Sequence, residues 1–154
     1  MKRVAYIILL GIFRIAHRVP HKFVFAISSK LYTQWKLIEL PKANEGIHLA
    51  YPVIVCGGKY IELKDGVCFS AGSILTAWDY YRGEVFTPAI IVGRDTIIGE
   101  DCHITAINRI QIGANVLLGK KVTITDNSHG CTDAASLLIP PRLRPLVSKE
   151  AVYI

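Results

Sequence analysis

Ile112-Gly113-Ala114-Asn115-Val116-Leu117-Leu118-Gly119-Lys120-Lys121-Val122-Thr123-Ile124-Thr125 returns to the same chemistry every six residues. Ile112, Leu118 and Ile124 are large and apolar, and each is followed by a small residue, Gly113, Gly119 or Thr125. Upstream, the same phase picks out Val92, Ile98 and Ile104, followed by Gly93, Gly99 and Thr105, and before them Leu63, Phe69 and Leu75. Of the residues after that first triplet, Ser70 and Thr76 are small and Lys64 is not. Two positions ahead of the key residues, β-formers recur at Ile90, Thr96, Ile110, Val116 and Val122. A period of six is neither the 3.6 of a helix nor simple strand alternation.

A triangular coil satisfies it. Each flat side is a short strand, the large residue points into the prism, and the small residue occupies the corner, where glycine also tolerates positive φ. Three such sides make a coil of about 18 residues, stacked as parallel sheets. The expected fold is mainly β: a left-handed parallel β-helix of the hexapeptide-repeat kind, preceded by two short helices. That hand departs from the right-handed crossover rule, and only a regular repeat justifies invoking it. An ordinary sandwich of short strands would show no fixed hexad phase.

Three interruptions break the phase. Thr76 to Pro88 is an aromatic, polar insertion, two extra residues fall around Asn108-Arg109, and Pro140, Pro141 and Pro145 mark an excursion from about 128 to 148. The chain then returns to strand-like sequence at Ala151-Val152-Tyr153-Ile154. In solenoids such insertions gather on the binding face.

Ahead of the repeat, Pro20 separates two apolar-rich stretches, 3–18 and 21–37, and Pro41 closes the second. Both are expected to be helices. The division is a helical segment over 1–45 and a β-helix domain over 46–154. The apolar run Val4 to Phe13 is shorter than the ~20 residues needed to span a bilayer. It reads either as a helix packed on the protein or a sister subunit, or as an amphipathic helix on the inner membrane face. In the second reading Lys2, Arg3, Arg14, His17, Arg18 and Lys22 lie near anionic headgroups.

At 154 residues and 51% hydrophobic, the chain is expected to be a folded single unit. Its formal charge of +6 suits acidic partners, although scattered positive charge also serves solubility. The basic residues form no stripe with interleaved aromatics, which argues against nucleic acid. Cys56, Cys68, Cys102 and Cys131 form no CxxC pair and no zinc spacing, so a reduced, cytoplasmic setting is expected.

The residue best suited to chemistry is His129, in Ile124-Thr125-Asp126-Asn127-Ser128-His129-Gly130, where the hexad pattern ends. Imidazole, with a pKa near ~6.5, can take a hydroxyl proton as the oxygen attacks an acyl group. Asp126 or Asn127 would fix its tautomer, and nearby backbone N–H groups would hold the oxyanion. On sequence alone, a lone loop histidine is more often a bystander than a catalyst.

Several segments resemble the hexapeptide-repeat O-acetyltransferases of bacterial polysaccharide and lipopolysaccharide biosynthesis, relatives of the galactoside, maltose and colanic-acid acetyltransferases. These are Gly58-Lys59-Tyr60-Ile61, Leu75 to Asp79, Cys102 to Asn108, Ile112 to Gly119, Ile124 to Gly130 and Arg144-Pro145-Leu146. The resemblance implies acetyl transfer from acetyl-CoA to a sugar hydroxyl, with the histidine of Asp-x-x-His-Gly, His129, as general base. It further implies a homotrimer with active sites between neighbouring coils, and an acceptor pocket lined by Trp78, Asp79, His103 and Asn108. Trp78 reads otherwise as loop packing and His103 as a turn cap. Two departures stand out: Asn127 occupies a position where the family often has histidine, and the family's further carboxyl-terminal coils do not follow Ile154. The competing expectation is therefore a truncated, inactive β-helix with a structural or partner role. A metal enzyme like the γ-type carbonic anhydrases would need three converging histidines. Only His103 and His129 are placed for that and the close His-x4-His spacing is absent, so no metal is expected.

Overall fold

A computed structural model describes residues 21–81, 83–127, 138 and 152–154 of the chain. One helix, α1 (His21–Leu37), is followed by short strands. The expected helix over 3–18 lies outside the described residues.

The strands fall into three parallel sheets that the chain visits in strict rotation. Sheet A holds β1 (Lys42–Ala43), β4 (Ile61–Leu63), β9 (Ala89–Val92), β12 (Arg109–Ile112) and β15 (Val152–Tyr153). Sheet B holds β2 (His48–Leu49), β5 (Cys68–Phe69), β10 (Ile97–Ile98) and β13 (Leu117–Leu118). Sheet C holds β3 (Ile54–Cys56), β6 (Ile74–Ala77), β11 (His103–Ala106) and β14 (Thr123–Thr125). An antiparallel hairpin, β7 (Tyr80–Tyr81) and β8 (Glu84–Val85), stands apart. β1 lies ahead of residue 46, where the sequence places the start of the β domain.

The hexad residues stack on one another as expected. Leu49, Phe69, Ile98 and Leu118 align across sheet B, and Leu63, Val92 and Ile112 across sheet A. Leu75, Ile104 and Ile124 align across sheet C. All ten are buried, and each contributes roughly 1.5–3 kcal/mol by leaving water. The positions two residues earlier also point inward. There the polar members bond to the next coil: Thr96 Oγ1 donates to the Gly113 carbonyl at 2.8 Å, and Ser73 Oγ to the Gly99 carbonyl at 3.1 Å.

Two expectations need correction. The coil has twenty residues rather than about 18, since the register pairs Lys42 with Glu62, His48 with Cys68 and His103 with Thr123. The surplus sits at one place in each turn, the corner leading from sheet C to sheet A. The excess near Asn108 is thus one instance of a recurrent eight-residue side, and Val55 to Leu63 is another. The glycines after the key residues are also explained differently. Positive φ occurs two residues later, at Gly66, Asp95, Asp101, Asn115 and Lys121. Gly93 and Gly99 are needed because the adjacent coil comes close: a Cβ on Gly99 would stand 2.4 Å from the Gly119 carbonyl oxygen.

The first coil is closed by α1 through hydroxyl groups. Thr33 Oγ1 accepts the Leu49 N–H at 3.1 Å, and its single proton is shared between the Ser29 carbonyl at 2.9 Å and the Leu49 carbonyl at 3.2 Å. Tyr32 Oη donates to the Val53 carbonyl at 3.0 Å and accepts the Val53 N–H at 2.7 Å. Edge groups that another coil would otherwise pair are satisfied by two side chains.

Candidate functional site at one corner of the coil

Every long excursion leaves from the corner between sheets C and A. The insertion carrying β7 and β8 connects β6 to β9, and the stretch containing His129 connects β14 to β15. Most of the residues singled out from sequence stack on this corner, one coil above another.

In the last described turn before His129, Asp126 follows the Thr105–Thr125 pair, on the rung occupied by Ala77 and Ala106 in the two preceding coils. Its side chain is fully buried. One carboxylate oxygen accepts the Ile107 N–H at 2.9 Å, and the other accepts the Asn108 N–H at 2.8 Å. Asp126 therefore braces the Asn108 corner. Asn127, half-buried, donates its backbone N–H to Thr125 Oγ1 at 3.2 Å. His129 lies outside the described residues, two positions beyond Asn127.

One coil earlier, the Trp78 N–H donates to the Ala106 carbonyl at 2.9 Å, which sets Trp78 directly beside the turn at Ile107. Trp78 as a residue is 43% exposed, so part of its surface remains available. Asp79 is held from the coil before that. Its carboxylate accepts the Tyr60 hydroxyl at 2.9 Å and pairs with Lys59 Nζ at 3.0 Å. The Lys59 hydrogen bond, and then that of Tyr60, hold the Asp79 carboxyl below its usual range. Lys59 is pushed up in turn, chiefly by Asp79. Its ammonium also lies 4.7 Å from the Tyr60 ring centroid.

His103 is placed differently. It opens β11, in register with Ile74 and Thr123, at the far end of the strand from the corner. At about 3.3 Å per residue, three residues separate it from Ala106 by roughly 10 Å. The geometry thus gathers Trp78, Asp79, Asn108, Asp126 and Asn127 at one vertex and leaves His103 on the flat beside it. Lys59 and Tyr60, the partners of Asp79, were not foreseen. Their signal is the coil spacing itself, since they precede Asp79 by about one turn.

Chemically, the corner offers a partly exposed tryptophan, a carboxylate fixed in its ionised form, an asparagine amide and a braced backbone turn. Such a set suits a polyhydroxylated ligand, which stacks its ring on the indole and donates hydroxyls to the carboxylate. Compared with protein-family models, curated proteins and solved structures, the chain shows no match.

Proposed function

We propose that this protein is a left-handed β-helix O-acetyltransferase, moving the acetyl group of acetyl-CoA to a sugar hydroxyl of a surface polysaccharide or its lipid-linked precursor. The reading is supported chiefly by the convergence at one corner. The sequence likeness supplies His129 as base, and the buried Asp126 ties the strand leading to it onto the Asn108 turn.

In this mechanism the sugar stacks on Trp78, and Asp79 accepts hydrogen bonds from its hydroxyls through lone pairs left over by Lys59 and Tyr60. Asn108 offers its amide to the same acceptor, with His103 at the margin. His129 takes the hydroxyl proton as the sugar oxygen attacks the thioester carbonyl. The C–O bond forms and the tetrahedral oxyanion is held by backbone N–H groups. Its collapse breaks the C–S bond, and the departing thiolate takes the proton back from the imidazolium. The products are the acetyl ester and free CoA. No covalent enzyme intermediate is required. Asp126 and Asn127 act by positioning the segment, and the working unit is a homotrimer.

The test is release of free CoA from acetyl-CoA in the presence of candidate sugars. The expected result is turnover by the parent chain and a loss of at least about a hundredfold in His129→Ala, in line with general-base catalysis. Equal rates for parent and variant would refute the assignment. A folded protein that shows no acetyl-CoA binding by calorimetry would favour the structural, non-catalytic reading.

A further inference from the structure

The apolar side of α1 faces the wrong way for a helix that only covers its own core. Among its described side chains, residues 26–37, the fully buried ones are polar: Ser29, Thr33 and Lys36, with Tyr32 and Leu37 partly buried beside them. Among the residues it exposes are four large apolar ones: Ile27 at 45%, Leu31 at 66%, Trp35 at 60%, and Ile38 at 79% just past its end. At 3.6 residues per turn these four fall within an arc of about 80°. Tyr51, 75% exposed, stands edge-on to Tyr32 at 5.3 Å.

Charge narrows what this stripe can meet. Residues 1–38 contain Lys2, Arg3, Arg14, Arg18, Lys22, Lys30 and Lys36, and the first acidic residue is Glu39. The whole chain carries +6, so residues 39–154 together carry −1. The positive excess is therefore concentrated at the amino terminus, not scattered. Glu39 is already engaged by Lys36 at 2.8 Å. A symmetric contact between two copies would set a segment of net positive charge, with Glu39 as its one acid, against itself. Covering the stripe with residues 1–20 would add four more Lys and Arg side chains without one carboxylate. Among the described residues no helix is long and apolar enough to cross a membrane. An apolar stripe on a segment of net positive sequence charge, whose one neighbouring acid Glu39 is already paired with Lys36, matches the physics of helices that lie in a bilayer interface.

We propose that α1 docks the protein flat on an anionic lipid bilayer, with Ile27, Leu31, Trp35 and Ile38 in the headgroup–acyl boundary. The inference stands independently of the acetyl-transfer reading. It also orients the coil, because the end closed by Tyr32 and Thr33 becomes the membrane-proximal end.

The test uses the full chain carrying Trp78→Phe, so that Trp35 is the sole fluorophore of its kind. Vesicles of equal phosphatidylglycerol and phosphatidylcholine should shift Trp35 emission to the blue and sediment the protein. Binding should be at least about tenfold tighter than to phosphatidylcholine alone, and should weaken as salt rises. Leu31→Glu with Ile38→Glu, both at exposed positions, should keep the circular dichroism spectrum and lower binding at least tenfold. Equal binding to the two vesicle types, or unchanged binding of the double variant, overturns the proposal. So does a Trp35 emission already blue-shifted without lipid and indifferent to it, which would mean that protein covers the stripe. Dissociation of an oligomer by the double variant, with no vesicle binding by the parent, would assign the stripe to a second copy instead.

Discussion

Replacing Asp126 with alanine removes both acceptors that hold the Ile107 and Asn108 amides, at 2.9 and 2.8 Å, together with a long contact from the Asn127 side-chain amide at 3.5 Å. Alanine is sterically suited to this rung, because Ala77 and Ala106 already occupy it in the preceding coils. The loss is therefore electrostatic and not a matter of packing. Hydrogen bonds to a charged acceptor are worth about 1.5–3 kcal/mol each. Part of that is returned because a fully buried carboxylate no longer has to be desolvated. The net expectation is a destabilisation of about 2–4 kcal/mol, or a fall in Tm of roughly 5–15 °C for a chain of this size. Asp126→Asn keeps one acceptor and turns a donor toward the other amide, so it should recover at most half of the loss. Thermal unfolding followed by circular dichroism measures the first quantity. Amide hydrogen exchange locates it, with faster exchange expected at Ile107 and Asn108 before the core strands. A Tm for Asp126→Ala within about 2 °C of the parent, with unchanged exchange at those two amides, would refute the view that this carboxylate braces the corner.

Two further outcomes follow from the coil geometry and the corner electrostatics. Gly99→Ala should cost about 1–3 kcal/mol in urea unfolding, because its Cβ would meet the Gly119 carbonyl oxygen at 2.4 Å. Gly119→Ala should stay within about 0.5 kcal/mol, since no described residue lies within 4 Å of the added atom; equal midpoints would refute close approach as the reason for glycine. Because the Asp79 carboxyl is held low, its contact with Lys59 and Tyr60 is fully present above the ordinary carboxylate range of about 3.9 and is lost as pH falls through the lower folded value. Lys59 is held high, so the alkaline limit comes only as pH rises past the lysine range. In a Trp35→Phe chain, Trp78 emission should thus be flat between these limits and change on acidification. The same acid transition in Asp79→Asn would contradict the assignment.

The three apolar ladders were legible because an inward position sees one environment in every coil, and Leu63, Phe69, Leu75 and their successors repeat that demand in sequence. The helix over 21–37 was legible from the prolines that bracket it. What the sequence concealed was relational. The two surplus residues at Asn108 look like an isolated flaw until the same surplus between Val55 and Leu63 shows that they belong to the corner. Gly93 and Gly99 look like residues chosen for backbone freedom, whereas the deciding atom belongs to a glycine twenty residues on. Lys42-Ala43 carries no large apolar side chain, so the first rung gave no hexad signal. At the site, Asp79 was singled out without Lys59 and Tyr60, because their contact exists only once one coil lies on the next. Spacing alone offers Asp126, like Asn127, as a partner for His129; its burial against two backbone amides is a matter of register that spacing does not reveal.

The concentration of every excursion at the corner between sheets C and A bears on how such a molecule can change over time. Between successive described strands of the coil this corner holds as few as two residues, 107–108, and, with the β7–β8 hairpin, as many as eleven, 78–88. The strands on either side keep their places at both lengths, so the added cost is mainly loop-closure entropy, about 1.5 kcal/mol across that range. Chain can be let out along this one seam for little, while a single residue added on sheet B would throw each inward side chain of its strand to the outside. The seam is thus where new ligand specificity can be sampled while the prism behind it is left unaltered.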